Sequence, residues 1–204
     1  RHQPAHDHFR VDELLFGHAA VVDLRQGTVR PQKLTNLPDD VRCVAVSPTG
    51  KLGFGGSRIV EIRDVAAPVD SVGDRLHIAT PSRSIAFSPD GERCAIGDIA
   101  GAVHVSLVGF WQREPLLLLP AETGAEATHL AFAANGEQLA AHLRTQELGP
   151  SANGRGFVQW WWLGTGASIF QAACAPLGGL VSAPIADGDG WLAAGFDRRV
   201  LRLR

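Results

Sequence analysis

His2, His6 and His8 open the chain and His18 follows, and closely spaced imidazoles are ligands that zinc accepts. Coordination needs several of them held convergent. Residues 1–11 carry no strand or helix pattern and read as a flexible N-terminal segment, so no metal site is expected there. The remaining histidines, His77, His104, His129 and His142, fall in or beside strand-like runs, where a hydrogen-bonded structural role is expected. Catalytic signatures are missing: no nucleophile elbow, no His-Glu metal motif, and no glycine-rich loop leading from a strand into a helix. Gly53-Phe-Gly-Gly-Ser57 lies between two strand-like runs, without the helix N-terminus that makes such a loop a phosphate cradle. The carboxylate pairs Asp39/Asp40 and Asp187/Asp189 sit in turn sequences, where Asp side chains bond nearby backbone N–H groups. Trp160, Trp161 and Trp162 stand in a row, and strand alternation sends Trp161 to one face and its two neighbours to the other. Packing is their expected role, with an exposed aromatic contact as the alternative if a neighbouring sheet is slim. No catalytic residue and no cofactor are expected, and the chain reads as a non-enzyme.

The elements that carry these residues are strands. Short alternating segments are broken by Gly, Pro, Asp or Asn every eight to twelve residues, and no segment sustains a helical period. One short phrase recurs: Val44-Ala-Val-Ser-Pro-Thr-Gly50, Ile85-Ala-Phe-Ser-Pro-Asp-Gly91, Leu130-Ala-Phe-Ala-Ala-Asn-Gly136 and, more loosely, Ala183-Pro-Ile-Ala-Asp-Gly188. Gly50 and Gly91 are 41 residues apart, and Gly91 and Gly136 are 45 apart. A period in the low forties predicts an all-β protein, a β-propeller of four-stranded antiparallel blades. Parsing strand by strand gives a partial blade over 12–37, whole blades over about 38–79, 80–124 and 125–176, and a partial blade over 177–204.

Composition agrees with a folded domain: 45% apolar, 20% charged, and a net charge of -2. Near-neutrality gives no reason to expect nucleic acid or an anionic membrane surface as a partner. Cys43, Cys94 and Cys174 lie in apolar stretches without short spacing, which favours free thiols, a reducing compartment and a cytoplasmic location. No apolar run reaches the roughly 18 residues of a membrane helix. The chain starts at Arg1 and contains no methionine, which suggests a piece of a longer polypeptide.

The strand-three segments carry a resemblance. Val158-Gln-Trp-Trp-Trp-Leu-Gly-Thr-Gly166 is similar to the Trp-Asp frame of WD-repeat propellers, with Trp161 at the tryptophan and Trp162 at the aspartate. Ala20-Val-Val-Asp23-Leu24 and Glu61-Ile-Arg-Asp64-Val65 keep the aspartate without the tryptophan, and Val103-His-Val-Ser-Leu107 keeps neither. The resemblance implies structural roles for Asp23, Asp64 and Trp161, for the turn glycines Gly50, Gly91 and Gly136, and for Asp197 as the aspartate of a loop between strands two and three. In the third unit that loop position falls on Ala100.

Such propellers typically act as platforms for assembly, so the resemblance implies a non-catalytic protein–protein interaction scaffold, a segment of a larger protein or assembly. The alternative is a ligand sensor or enzyme domain that uses the central channel. The Gly/Pro/Ser/Asn-rich loop Thr145 to Gly156 is the first candidate for partner contact, through Glu147 and Arg155, with Arg58, Asp98, Arg198 and Arg199 on equivalent loops. Unfinished blades leave strand edges and a sheet face without partners. Another protein, the rest of the same polypeptide or a second copy is expected to cover them.

Overall fold

The computed structural model describes residues 19–21, 32–38, 40–68, 70–110, 117–119, 124–145, 156–174, 177–185, 188–195 and 200–203. These residues are strands, turns and connections, with no helix among them. The Ser-Pro-Xaa-Gly phrases fold as turns for a local reason. Gly50, Gly91 and Gly136 have φ of 77, 73 and 71°, a left-handed conformation that glycine adopts without a Cβ clash. Each donates its N–H back three residues, to the carbonyls of Ser47, Ser88 and Ala133. The turn side chains finish the job: Asp90 and Asn135 accept from the N–H of Glu92 and Glu137, both at about 3 Å.

These turns join strands into antiparallel meanders. A pair, β1 (Ala19–Val21) and β2 (Gln32–Leu34), precedes three four-stranded sheets. The first is β3 (Cys43–Val46), β4 (Lys51–Gly55), β5 (Ile59–Asp64) and β6 (Asp74–His77). The second is β7 (Ser82–Phe87), β8 (Arg93–Asp98), β9 (Val103–Leu107) and β10 (Leu117–Leu119). The third is β11 (Ala125–Phe132), β12 (Gln138–Thr145), β13 (Gly156–Trp162) and β14 (Ala167–Cys174). A final sheet holds β15 (Leu177–Ile185), β16 (Gly188–Gly195) and β17 (Val200–Leu203). In every sheet from β3 onward the spatial order follows the chain order, and the first strands stack in sequence: β3 on β7, β7 on β11, β11 on β15. We call these first strands inner strands.

Both faces of the middle sheets are apolar, and the core lies in the seams between sheets. Val60 and Ile62 of the first sheet, with Ile78 of the link that follows it, meet Ile85, Cys94 and Ile96 of the second. Val103, Val105 and Leu119 meet Leu130, Phe132, Leu139, Leu143 and Trp161 across the next seam. Trp161 is fully buried there, whereas Trp162 is 37% exposed. A smaller seam packs Leu34 of β2 on Leu52 and Phe54 of β4. Close approach demands small residues: a Cβ on Gly97 of β8 would stand 2.6 Å from the Ala127 Cβ of the next sheet.

One side of β3 departs from this pattern. Cys43 and Ala45 point into the seam with β7, while Val44 and Val46 on the opposite face are 61% and 71% exposed.

Candidate interaction surface

The β4–β5 and β8–β9 connections and the link from β6 to β7 gather at one end of their sheets, where Ser82 donates its N–H to the Gly56 carbonyl and Ile99 to the Pro81 carbonyl. Arg58 lies there, in the bend between β4 and β5. Its carbonyl accepts the N–H of Ile78 at 3.0 Å, which fixes the backbone, and its side chain is exposed with no hydrogen bond among the described residues. Beside it, Asp40 accepts two hydrogen bonds from the Arg42 guanidinium, at 2.6 and 2.8 Å, and one from the Ser57 hydroxyl at 2.7 Å. The Ser57 and Arg42 bonds hold the Asp40 carboxyl below the usual range.

Asp98 is a correction. Its loop position suggested partner contact, but its carboxylate is 2% exposed and already engaged. Oδ1 accepts from the N–H groups of Ala100 and Ala102 at 3.0 and 2.9 Å. Oδ2 accepts from the Thr80 hydroxyl and lies 3.3 Å from His104 Nε2. Burial opposes ionisation, yet the bonds from His104, Thr80 and the Ala102 N–H outweigh it and hold the carboxyl below its ordinary value. Asp98 therefore staples the β8–β9 loop to the link from the first sheet and to β9. In this unit the buried loop aspartate stands two residues before Ala100. The cue in the sequence was the Asp98-to-Ala102 loop closed by Gly101, in which an Asp can bond the backbone N–H groups that follow it.

Of the other sequence-derived positions, Asp64 ends β5 on the opposite end of the sheet. It accepts from the Ala66 N–H at 2.9 Å and from Lys51 Nζ at 3.0 Å, an exposed turn aspartate. Glu147, Arg155, Arg198, Arg199, Asp23 and Asp197 lie outside the described residues, as do His2, His6, His8 and His18. Among the described residues no three His, Cys, Asp or Glu side chains come together in a metal-holding group. Nor is any helix long and apolar enough to cross a membrane.

Two polar constellations escaped the sequence reading. Glu61 and Arg63 on β5 are both buried and paired, and Arg75 on β6 donates to the other Glu61 oxygen at 2.7 Å. Arg63 also donates to the carbonyls of Thr35 and Asn36, at 2.8 and 2.7 Å, and so ties the link after β2 to the first full sheet. Glu61-Ile-Arg63 alternates like any strand, and nothing in its spelling says that both charges turn inward.

The second constellation lines a groove of 260 Å³ across three inner strands, formed by Cys43 and Val44 of β3, Arg83, Ser84 and Ile85 of β7, and Thr128, His129 and Leu130 of β11. The β7–β8 register skips Arg83 and the β11–β12 register skips Thr128, so each residue sits at a β-bulge. Thr128 Oγ1 lies 2.6 Å from His142 Nδ1 and 3.1 Å from His129 Nδ1. His142 is 1% exposed and its Nε2 has no partner. Burial first, then the nearby His129 and Arg144 charges, push its pKa down to about 4. Burial also pushes the thiols of Cys43 and Cys94 up, so both are protonated and unreactive at neutral pH.

No protein-family model matches the chain. No curated protein matches it either. Among solved structures 814 chains match, so the fold is widely shared. One is hydrazine synthase of Kuenenia stuttgartiensis, with a TM-score of 0.65 and 15% sequence identity over 86% of this chain and 49% of that one. The present chain thus spans about half of that protein's chain, and at this identity the likeness is one of fold alone.

Proposed function

We propose that this chain is a segment of a β-propeller of the WD-repeat kind and serves as a non-catalytic protein–protein interaction scaffold in the cytoplasm. Four-stranded meanders stacked inner strand on inner strand support the propeller reading. A buried aspartate in a loop between second and third strands supports the WD-repeat reading, since that family keeps its structural aspartate in this loop. The observation that carries the interaction role is the bare face of β3. The inner strands β7 and β11 each pack between two neighbours, while β3 leaves Val44 and Val46 in water. An exposed apolar strand face of this kind invites a sheet from another protein, from the same polypeptide or from a second copy.

Light scattering over a concentration series, with a hydrophobic dye as reporter, tests this. The chain is expected to self-associate or bind the dye, and the double substitution Val44→Asp/Val46→Asp is expected to abolish both. A chain that stays monomeric at its highest soluble concentration and binds no dye would overturn the reading.

A further inference from the structure

The strands that close the sheets differ in how their outer edges are protected. An edge strand offers a row of backbone N–H and C=O groups to any strand that comes beside it, and natural sheets blunt that row with charge, proline or short length. β6, the last strand of the first sheet, carries Asp74 and Arg75. β10 closes the second sheet with three residues, and Pro115 and Pro120 flank it in the sequence. β17 closes the final sheet with four residues and carries Arg202. β14 closes the third sheet with eight, Ala-Ser-Ile-Phe-Gln-Ala-Ala-Cys, and has neither charge nor proline. It pairs with β13 on one side, and among the described residues no strand pairs with it on the other. A β-bulge at Ile169 twists only the start of the strand, because Phe170 to Cys174 pair with Trp160 to Gly156 in unbroken register. Ile169 itself is 52% exposed, and Ala167 and Ser168 beside it are exposed as well.

We propose that the outer edge of β14 takes an added strand from a partner protein, an extended and uncharged segment rich in Val, Ile or Thr. It pairs through its backbone along Phe170 to Cys174 and sets an apolar side chain against Ile169. In such strand addition the backbone hydrogen bonds supply the affinity, and the side chains of the incoming strand supply the selection. β14 has no side-chain charge to answer a charge on its guest, and a charge brought to this edge would lose water without gaining a partner. A second copy of β14 is the poorer guest. It has one β-branched residue among its eight, and two such strands would set Ala opposite Ala or Gln, where cross-strand pairs gain least. A Val- or Ile-rich strand brings the missing side-chain contact itself. The proposal rests on the scaffold reading and names the partner chemistry of a second surface, on a different sheet from β3.

Fluorescence polarisation on the full chain tests it with a labelled hexapeptide of alternating Thr and Val. Its partner probe is the same peptide N-methylated at every amide, which keeps the side chains and removes the backbone donors. The parent peptide is expected to bind, and the methylated one at least ~10-fold more weakly, the worth of about one hydrogen bond. Ile169→Lys, which places a charge on the edge, is expected to weaken the parent peptide by a similar factor. Leu118→Lys, at a comparably exposed position on β10, is expected to leave it unchanged. Matched thermal melts of both variants exclude unfolding as the cause. Hydrogen exchange is expected to slow in β14 when the parent peptide is added, and not in β6 or β10. Absence of binding, equal binding of the methylated peptide, full binding by Ile169→Lys, or protection on another strand would each overturn the proposal. Protection of β14 that rises with chain concentration in the absence of peptide would give the edge to a second copy and overturn it as well. Self-association through Val44 and Val46 is read separately, so this edge can fail while the scaffold reading stands.

Discussion

His142 holds two facts together: a ring almost fully removed from water and a nitrogen without a partner. Thr128 Oγ1 pairs with His142 Nδ1 at 2.6 Å, which leaves Nε2 as the ring nitrogen that has no partner. Protonating Nε2 would bury an N–H and a positive charge with nothing to receive them. The folded pKa of about 4 therefore lies below the ordinary 6.5, and the unfolded chain binds the proton first. Stability is full above pH 6.5 and falls as pH drops toward 4, by an amount on the order of 3 kcal/mol. His142→Asn is expected to flatten the midpoint of urea unfolding against pH across that window. A slope that survives the substitution assigns the effect elsewhere. Glu61 makes the second prediction at this scale. Glu61→Gln leaves the Arg63 guanidinium buried beside a neutral amide, and the expected loss is about 3 kcal/mol in urea denaturation. Arg75→Gln, which removes a half-exposed partner, is expected to cost less.

At the scale of elements, the seams decide what each strand tolerates. β8 passes so close to β11 that Gly97 has no room for a side chain. A Cβ there would meet the Ala127 Cβ and the Ser84 Oγ at 2.6 Å, and the Ala127 carbonyl at 2.9 Å. The Ser84 hydroxyl, which donates to that same carbonyl at 2.6 Å, would lose its place. Gly97→Ala is expected to destabilise by roughly 1–3 kcal/mol through overpacking, measured by thermal melt. Turn positions were readable directly. Ser-Pro-Asp-Gly91 and Ala-Ala-Asn-Gly136 each supply a left-handed glycine and a side chain that bonds the next N–H, and both requirements are local. Bulges were not. Arg83 and Thr128 stand in ordinary alternating stretches, and only the pairing with β8 and β12 shows that each is skipped in the register.

For the whole molecule, the arrangement of sheets converts a repeat into a row of inner strands stacked in chain order. Leu34, Leu52 and Phe54 are covered where β2 lies against β4, and Val44 and Val46 are exposed where, among the described residues, β3 has no inner strand beside it. If further sheets complete the proposed ring, adding them in trans should quench dye binding and protect β3. Chain length and fold likeness say nothing of catalysis, because the shared feature is backbone architecture and function depends on the side chains grafted onto it.

The sequence by itself determined the strand class, the turns and the count of three four-stranded units, because alternation, left-handed glycines and Asx turns act within a few residues. The tertiary structure decided the polar chemistry. Asp98 looked like a loop residue available to a partner, and it became an internal staple once Thr80 and His104 were brought to it from two other segments. Arg83 stands in an alternating stretch, and it became a bulge residue 3.6 Å from the Glu126 carboxylate once β7 paired with β8 and lay beside β11. Glu61 and Arg63 alternate along their strand like any such pair, and packing of the link after β2 enclosed them. The physical reason is common to all three. Whether a charge is spare or satisfied depends on partners distant in sequence, and only folding brings those partners within hydrogen-bond reach.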